Sequence, residues 1–302
     1  MSRILHLLLA CVFLIGASTA TAEDDTLVLG QISDNPKEHY ARLKPLLDYV
    51  VARMGDVGIK HGRILMARDP EQMTSYLRRG RVDWVSETVG AGMMFQANAR
   101  AEPILLTRRH GQASYATVIF VHKDSPIQHI EDLRGRGIAL QNPWSTTSGL
   151  LPRGDILRAG IGMELLVLPY EQPAPRNIGY VFARSERNIA AWVVRGVVSA
   201  GAMADSDLDM VERVPPSYRE QIRVIHQGRS VPRGMELAGA HMPANVRKRL
   251  REVLLAANTD PAATAALDAF FRTSEFTAID AEARAALAEV SASVKSVQEN
   301  SR

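Results

Sequence analysis

The sequence predicts an α/β protein with two lobes and mostly parallel sheets. Short β-branched and leucine-rich runs alternate with stretches whose apolar residues recur at helical spacing, and this alternation is typical of parallel sheets. The chain has 302 residues, 46% of them apolar, so it is long enough to bury the cores of two lobes. It contains no low-complexity tract and no repeat at a fixed period.

The N-terminus has the features of a cleaved secretory signal. Arg3 precedes an apolar run over 4–16 that is too short for a membrane-spanning helix, and residues 20–22, "ATA", fit the small-x-small pattern of a signal-peptidase site. We predict that residues 1–22 are removed and that the mature protein is secreted. Lipid attachment at Cys11 is the alternative, but the apolar run continues past that cysteine.

The predicted elements of the first half follow in order. Residues 26–32 form a strand, and an Asx cap followed by Pro36 opens a helix whose apolar stripe ends at Gly55. The same strand-and-helix unit then repeats twice. The predicted pieces are a strand over 63–67, a helix opened by Asp69 and Pro70, a strand over 82–87 and a helix over 90–99.

A long strand begins the second half at Ser114 and ends in a turn by Ile127. A short helix, a basic turn and a strand follow over 130–140. Further predicted elements are a helix over 152–160, strands over 164–168 and 178–182, and a helix from Glu186. The tail is predicted to be helical over 243–257, 261–272 and 280–297.

Residues 142–149, "NPWSTTSG", place four hydroxyl side chains at the end of a predicted strand. Serine and threonine there would satisfy the free N–H groups of the next helix. The same N–H groups and the helix dipole also attract phosphate-like anions. Local sequence leaves both interpretations open.

Composition and motifs limit the chemistry. Cys11 is the only cysteine, so the mature chain would have no disulfide or thiol site. The balance of 36 Lys and Arg against 33 Asp and Glu is too even to indicate nucleic-acid binding. The eight histidines show no metal-binding spacing, and there is no nucleophile elbow, dinucleotide loop or P-loop. We therefore expect no metal, no cofactor and no enzymatic activity.

The order of features resembles the periplasmic substrate-binding proteins of phosphonate, phosphite and phosphate ABC transporters, in the type 2 periplasmic binding protein superfamily. Four stretches carry the resemblance: "PKEHYARLKPLLDYV" (36–50), "RVDWVSET" (81–88), the segment 114–152 that ends in "NPWSTTSGLLP", and "RGVVSAGAMAD" (195–205). The resemblance implies two α/β lobes joined by two crossing strands, with a helical tail. Residues 23–120 and 229–302 would form lobe 1, and residues 121–228 lobe 2.

The resemblance implies a periplasmic component of an ABC importer. It would bind a small tetrahedral oxyanion (phosphate, phosphite or a phosphonate) in the cleft between its lobes, as a monomer, and deliver it to a membrane permease. A periplasmic sensor partner of a membrane signalling protein is the alternative that keeps the same fold.

The resemblance also implies the ligand-binding residues. Ser145, Thr146 and Thr147 match the family's Ser-Thr-Ser loop, with threonine in the last position. The remaining candidates have ordinary structural explanations as well, and they are Glu87, Thr88, Tyr115, Ser185, Glu186 and Arg233. Pro70 and Arg233 stand where aminophosphonate-binding members carry an aromatic and an acidic residue, so we do not expect a 2-aminoethylphosphonate-like ligand.

Overall fold

The computed structural model describes residues 25–301, which form two six-stranded sheets flanked by helices. This arrangement confirms the predicted two-lobed α/β fold. The predicted leader, residues 1–22 with Cys11, lies outside the described residues. Among the described residues, none of the helices has the length and apolar character to cross a membrane.

The bounds of the elements are as follows. The strands are β1 (Thr26–Ile32), β2 (His61–Ala67), β3 (Trp84–Glu87), β4 (Glu102–Arg109), β5 (Ser114–His122), β6 (Gly137–Leu140), β7 (Met163–Leu165), β8 (Ile178–Phe182), β9 (Ala200–Ala204), β10 (Ile222–Pro232), β11 (Gly234–Ala238) and β12 (Thr273–Thr277). The helices are α1 (Pro36–Val51), α2 (Pro70–Arg78), α3 (Val89–Ala99), α4 (Leu151–Arg158), α5 (Glu186–Val194), α6 (Pro216–Arg219), α7 (Ala244–Ala257), α8 (Thr264–Ala269) and α9 (Ala281–Asn300).

The chain passes twice between the two sheets. The first sheet has the strand order β12-β4-β11-β3-β1-β2 and the second has the order β10-β5-β9-β6-β8-β7. The first passage lies between β4 and β5, at residues 110–113, and the return lies at Arg233, between β10 and β11. The lobe boundaries at 120/121 and 228/229 stay a prediction. The chain moves from one sheet to the other at residues 110–113 and at Arg233.

Parallel and antiparallel pairings are equally frequent in the two sheets. Five of the ten pairings are parallel, and all of these join strands of the repeated strand-and-helix units. Each antiparallel pairing includes β4, β5 or β11, the strands next to the passages. The alternating sequence pattern reflects consecutive strand-and-helix units, so it predicts the parallel pairings. It does not predict the antiparallel pairings, which involve the strands next to the two passages.

The predicted helix starts are present. The Asn35 side chain accepts a hydrogen bond from the Glu38 N–H at the start of α1, and Asp69 accepts one from the Gln72 N–H at 2.7 Å at the start of α2. Each of these helices has proline at its first position, where no N–H is needed. These caps fix the residues at which α1 and α2 begin after β1 and β2.

Two strands and one helix of the first lobe differ from the sequence prediction. β4 and β12 were not predicted, and the predicted helix over 261–272 ends at Ala269. The helix stops because Phe270 is fully buried and Phe271 has a left-handed φ of 55°. The Thr273 hydroxyl then donates to the Phe270 carbonyl at 2.6 Å, which satisfies a free helix-end acceptor.

The last helix, α9, packs against both lobes. It contacts α3, which flanks the first sheet, and α4, which flanks the second. Its buried residues Leu287, Val290 and Val294 belong to an apolar cluster that also contains Val89 and Leu150. The C-terminal tail therefore connects the two lobes through a shared core.

Candidate ligand-binding cleft

Two helix starts from different lobes meet between the sheets. α3 begins directly after β3, and the loop 142–148 leads through a wide helical turn into α4. The Gly90 N–H donates to the Thr146 Oγ1 at 2.9 Å, which joins the two lobes. A Cβ at position 90 would lie 2.6 Å from that oxygen, so this approach requires glycine.

The loop before α4 is held by Asn142. Its Oδ1 accepts hydrogen bonds from the Trp144 N–H at 3.1 Å and the Ser145 N–H at 2.7 Å. The Ser145 side chain makes no capping bond. Gly149 passes so close to the Asn142 carbonyl oxygen that a Cβ there would lie 2.3 Å from it. Asn142 thus performs the capping role that the hydroxyl run was considered for.

The donors of this loop are unpaired among residues 25–301 but buried, since Thr146, Thr147 and Ser148 are only 2%, 4% and 1% exposed. The Thr146 oxygen accepts from Gly90, so the hydroxyl proton of Thr146 is left to be donated elsewhere. Within the described residues, no hydrogen bond engages the backbone N–H groups of Thr146, Thr147 and Ser148. The Thr147 carbonyl accepts a hydrogen bond from the Thr117 hydroxyl at 2.9 Å, which fixes the loop to β5. Free N–H groups at a helix start attract anions.

Tyr115 and Arg233 lie beside this loop. The Arg233 guanidinium stacks on the Tyr115 ring, 4.5 Å from its centroid, and the Tyr115 hydroxyl lies near Thr146 without a well-formed hydrogen bond. Burial raises the pKa of Tyr115, while Arg233 acts in the opposite direction. The buried Nε of Arg233 has no partner among the described residues, and no carboxylate there forms an ion pair with this side chain. Arg233 is therefore a cation that stacks on an aromatic ring and forms no close ion pair with a carboxylate of the described residues, although Asp207 is near enough to interact with it electrostatically.

Glu87 is the last residue of β3, and Thr88 lies between β3 and α3. Glu87 is only 9% exposed and accepts hydrogen bonds from the Gln31 side chain at 3.1 Å and the Thr88 N–H at 3.2 Å. Burial raises the pKa of Glu87, and Arg109 opposes that shift. The Thr88 side chain makes no capping bond to α3. Glu87 is thus part of the cleft floor and not an exposed strand end.

Ser185 and Glu186 lie at the start of α5 and differ in their contacts. The Ser185 hydroxyl accepts from the Asn188 N–H at 3.2 Å, which is a helix cap. Glu186 accepts from the Gln141 side chain at 2.7 Å and lies 3.0 Å from Arg213. Glu186 thereby connects α5 to the end of β6, immediately before the loop 142–148.

The structure adds an acidic group that sequence reasoning missed. Asp207 follows β9 and lies 3.2 Å from Arg213, which also pairs with Glu186. Burial raises the pKa of Asp207 to about 6, with Glu186 adding to the shift and Arg213 and Arg233 opposing it. No spacing or motif in the sequence brings these groups together, because they come from α5, the segment after β9 and the passage between β10 and β11.

A second missed group lies beneath the cleft. Glu236 is fully buried and accepts hydrogen bonds from Trp84, Ser86 and Thr107, each at 2.6 Å. Arg109 donates to the Ser86 hydroxyl at 2.6 Å and lies 4.0 Å from Glu236. This network fixes the ends of β3, β4 and β11 below the cleft.

The arrangement suits an anion. Two helix starts, a free hydroxyl proton and unpaired N–H groups converge from both lobes, and Arg233 supplies positive charge. The described residues hold no group of histidine, cysteine or acidic side chains placed to bind a metal ion.

Comparison with known proteins gives consistent matches. A family model described as the periplasmic substrate-binding protein of phosphonate ABC transporters matches residues 29–283. XAC2383 from Xanthomonas citri bound to chloride ion is 46% identical, with a TM-score of 0.87 over 91% of this chain and 99% of that chain. XAC2383 bound to ATP is 45% identical, with a TM-score of 0.88 over 92% of this chain and 100% of that chain. PhnD1 from Prochlorococcus marinus in complex with methylphosphonate has the same fold at 15% identity, with a TM-score of 0.64 over 90% of this chain and 99% of that chain.

Proposed function

Because the chain belongs to the family of periplasmic substrate-binding proteins of phosphonate ABC transporters, we propose that it binds a phosphate, phosphite or phosphonate group between its lobes. It then presents the bound anion, as a monomer, to a membrane permease. In this proposal the ligand-binding residues are those named from the sequence, with Ser145, Thr146 and Thr147 on the oxyanion. Ser185 has the weakest support, because its hydroxyl already caps α5.

The observation that carries the proposal is the hydrogen bond from the Gly90 N–H to Thr146. It brings the positive end of α3 against the loop that precedes α4. An anion at this junction meets neutral hydroxyl and N–H donors, and the charged Arg233 lies beside them. Neutral donors hold an oxyanion less strongly than lysine or arginine would, which suits a protein that must release its ligand.

Contacts from both lobes also supply the mechanism. A ligand that touches α3 and the loop 142–148 together gains both sets of bonds only when the lobes are closed. Such a ligand shifts the population toward the closed form by hinge motion. The permease would then distinguish the loaded form by its shape.

A nucleoside triphosphate is the second candidate ligand. XAC2383, at 45% identity, has been solved with ATP. Arg233 stands in the cleft without a close ion pair among the described residues, so it is available for a charge beyond that of one phosphate group. In this version a phosphate of the nucleotide occupies the junction and the rest of the molecule extends along the cleft.

Calorimetric titration of the purified, ligand-free protein tests the proposal. The panel contains phosphate, phosphite, methylphosphonate, 2-aminoethylphosphonate and ATP, with sulfate and chloride for comparison. We expect at least one phosphorus-containing anion to bind and to raise the melting temperature. Thr146→Val should weaken that binding by about 1–3 kcal/mol, because it removes one donor and leaves a buried oxyanion under-satisfied.

Thr264→Val is the matched control, since Thr264 is exposed at the start of α8. It should bind like the wild type. Absence of binding to every phosphorus-containing anion by a folded protein would contradict the assignment. Equal affinity of Thr146→Val and the wild type would instead place the ligand elsewhere.

A further inference from the structure

A groove of about 970 Å³ lies on lobe 1, outside the cleft, between α7 and α9. Its floor comes from α3, β4 and the segment before α9. The apolar lining residues are Met93, Ile104, Ile279 and Leu287. Pockets that bind specific partners or ligands commonly reach this size.

The two helices that border the groove each turn one regular face toward it. α7 contributes residues 244, 247, 248 and 251, and α9 contributes residues 284, 287, 288 and 291. Both sets follow the three- and four-residue spacing of a single helix face. The opposite face of α7, which includes Val246 and Leu250, is buried in the core. Three cations of the basic run 246–251, Arg247, Lys248 and Arg251, therefore line a concavity.

The rim of the groove carries excess positive charge. On α7, Arg247 lies 2.8 Å from Glu102, the single acidic residue of the lining. Lys248 is 80% exposed and lies 3.9 Å from Glu252. Arg251 forms no ion pair within the described residues. At least two cations of α7 are thus available to an incoming group.

The α9 side of the groove adds a fourth cation. The Arg284 side chain donates to the Ile279 carbonyl at 2.8 Å and has no acidic partner in the described part of the chain. Ala288, also on α9, is exposed and small. The groove consequently combines an apolar floor, a basic rim and free space beside Ala288.

We propose that this groove docks an acidic amphipathic helix of a partner protein. The apolar face of such a helix would lie on Ala278, Ile279 and Ala288, above the buried side chains of the floor. Its acidic side chains would pair with Lys248, Arg251 and Arg284. Helices bind grooves in this way through apolar residues spaced three and four apart. A concave surface fits a helix better than a flat lipid headgroup layer, so the observations favour a protein partner over a membrane.

Fluorescence anisotropy of the full mature protein with a labelled peptide tests this site. The probe is a helix of about 18 residues, or five turns, with leucine on one face and glutamate on the other. We expect saturable binding that weakens with salt, and no binding of the peptide in which lysine replaces glutamate. The double charge reversal Lys248→Glu with Arg251→Glu should weaken binding at least about tenfold.

Two further variants separate groove binding from general attraction. Ala288→Trp fills the groove without changing charge, and it should also weaken binding. The matched charge reversal Arg195→Glu with Lys123→Glu, at exposed positions of lobe 2 outside the groove, should leave binding unchanged. Equal losses in both charge-reversed proteins, or full binding by Ala288→Trp, would overturn the proposal.

Binding to phosphatidylglycerol vesicles with no binding of the acidic peptide would also overturn it, in favour of a membrane surface. Anion titration of the same variants gives an independent readout. The groove variants should bind the cleft ligand as the wild type does, so failure at one site is distinguishable from failure at the other.

Discussion

Single charged side chains set the electrostatics of the cleft. Arg233 stacks on Tyr115 and forms no close ion pair within residues 25–301, whereas Arg213 is shared between Glu186 and Asp207. The side chain of Asp207 is only 7% exposed, so its ionised form is poorly hydrated. A buried carboxylate of this kind makes folding stability depend on pH.

Replacing Asp207 by asparagine should flatten the pH dependence of stability. The pKa of Asp207 is raised from 3.8 to about 6 in the folded protein. Between these values the folded state keeps a proton that the unfolded state has released, so the free energy of unfolding falls as pH rises from about 4 to 6. The contribution lost is about 2–3 kcal/mol at pH 7. Thermal unfolding of Asp207→Asn should therefore show a smaller drop between pH 4 and 7.

Asp209→Asn is the control for this experiment, because the Asp209 side chain is 81% exposed. It should follow the wild-type profile. Arg213 keeps its contact with Glu186 in Asp207→Asn, so no unpaired buried cation is created. An unchanged slope in Asp207→Asn would show that its carboxyl does not carry the proton.

Some residues of the candidate site could be predicted from the sequence, and others could not. The resemblance pointed to Thr146, Tyr115 and Arg233, and the structure brings these three together. Asp207 and Arg213 belong to no motif, and their burial depends on elements far apart in the chain. Sequence reading alone could not determine that burial.

At the scale of elements, the start of α3 determines how closely the lobes approach. Gly90 lies in its first turn and contacts Thr146 across the cleft. Helix propensity alone would favour alanine at this position by about 1 kcal/mol. The glycine therefore serves the contact between the lobes and not the stability of the helix.

Gly90→Ala should weaken anion binding at least about tenfold without destabilising the fold. Its Cβ would lie 2.6 Å from the Thr146 Oγ1 and 2.8 Å from a methyl group of Leu150, so the lobes could not approach fully. Calorimetric titration gives the affinity, and thermal unfolding without ligand gives the stability. Gly55→Ala is the control, because no atom lies within 4 Å of the added Cβ. Wild-type affinity in Gly90→Ala would show that closure does not need this contact.

The bounds of an element could be predicted where a local signal in the sequence marks its start or its end. Asn35 and Asp69 cap α1 and α2 as expected, and β1 has the predicted bounds. β4 escaped prediction because Pro103 and two terminal arginines weaken its strand pattern. Its partners β11 and β12 come from the distant C-terminal part of the chain, so only tertiary pairing identifies it as a strand.

At the scale of the whole molecule, opening must be compatible with a shared core. α9 packs on α3 and α4, and its apolar cluster includes residues of both lobes. The proposed hinge motion has to separate Gly90 from Thr146, although their neighbours Val89 and Leu150 belong to the same apolar cluster as α9. In this proposal the region between the helix starts opens, and the tail limits how far the lobes separate.

A disulfide between positions 90 and 146 should lock the lobes together. A Cβ at position 90 lies 3.2 Å from the Thr146 Cα, which is tighter than the ordinary spacing of a disulfide, so the bond would hold the lobes together slightly wider apart than in the structure. Cys11 is the only native cysteine and lies in the predicted leader, so no other thiol would compete. Small-angle scattering should give a smaller radius of gyration for oxidised Gly90→Cys with Thr146→Cys than for its reduced form. The reduced form serves as the control for the lost Thr146 hydroxyl. Ligand should compact the wild type toward the oxidised value and leave the oxidised variant unchanged. An equal radius in both redox forms would mean that the lobes already touch permanently in solution, and ligand capture would then need a route other than hinge closure.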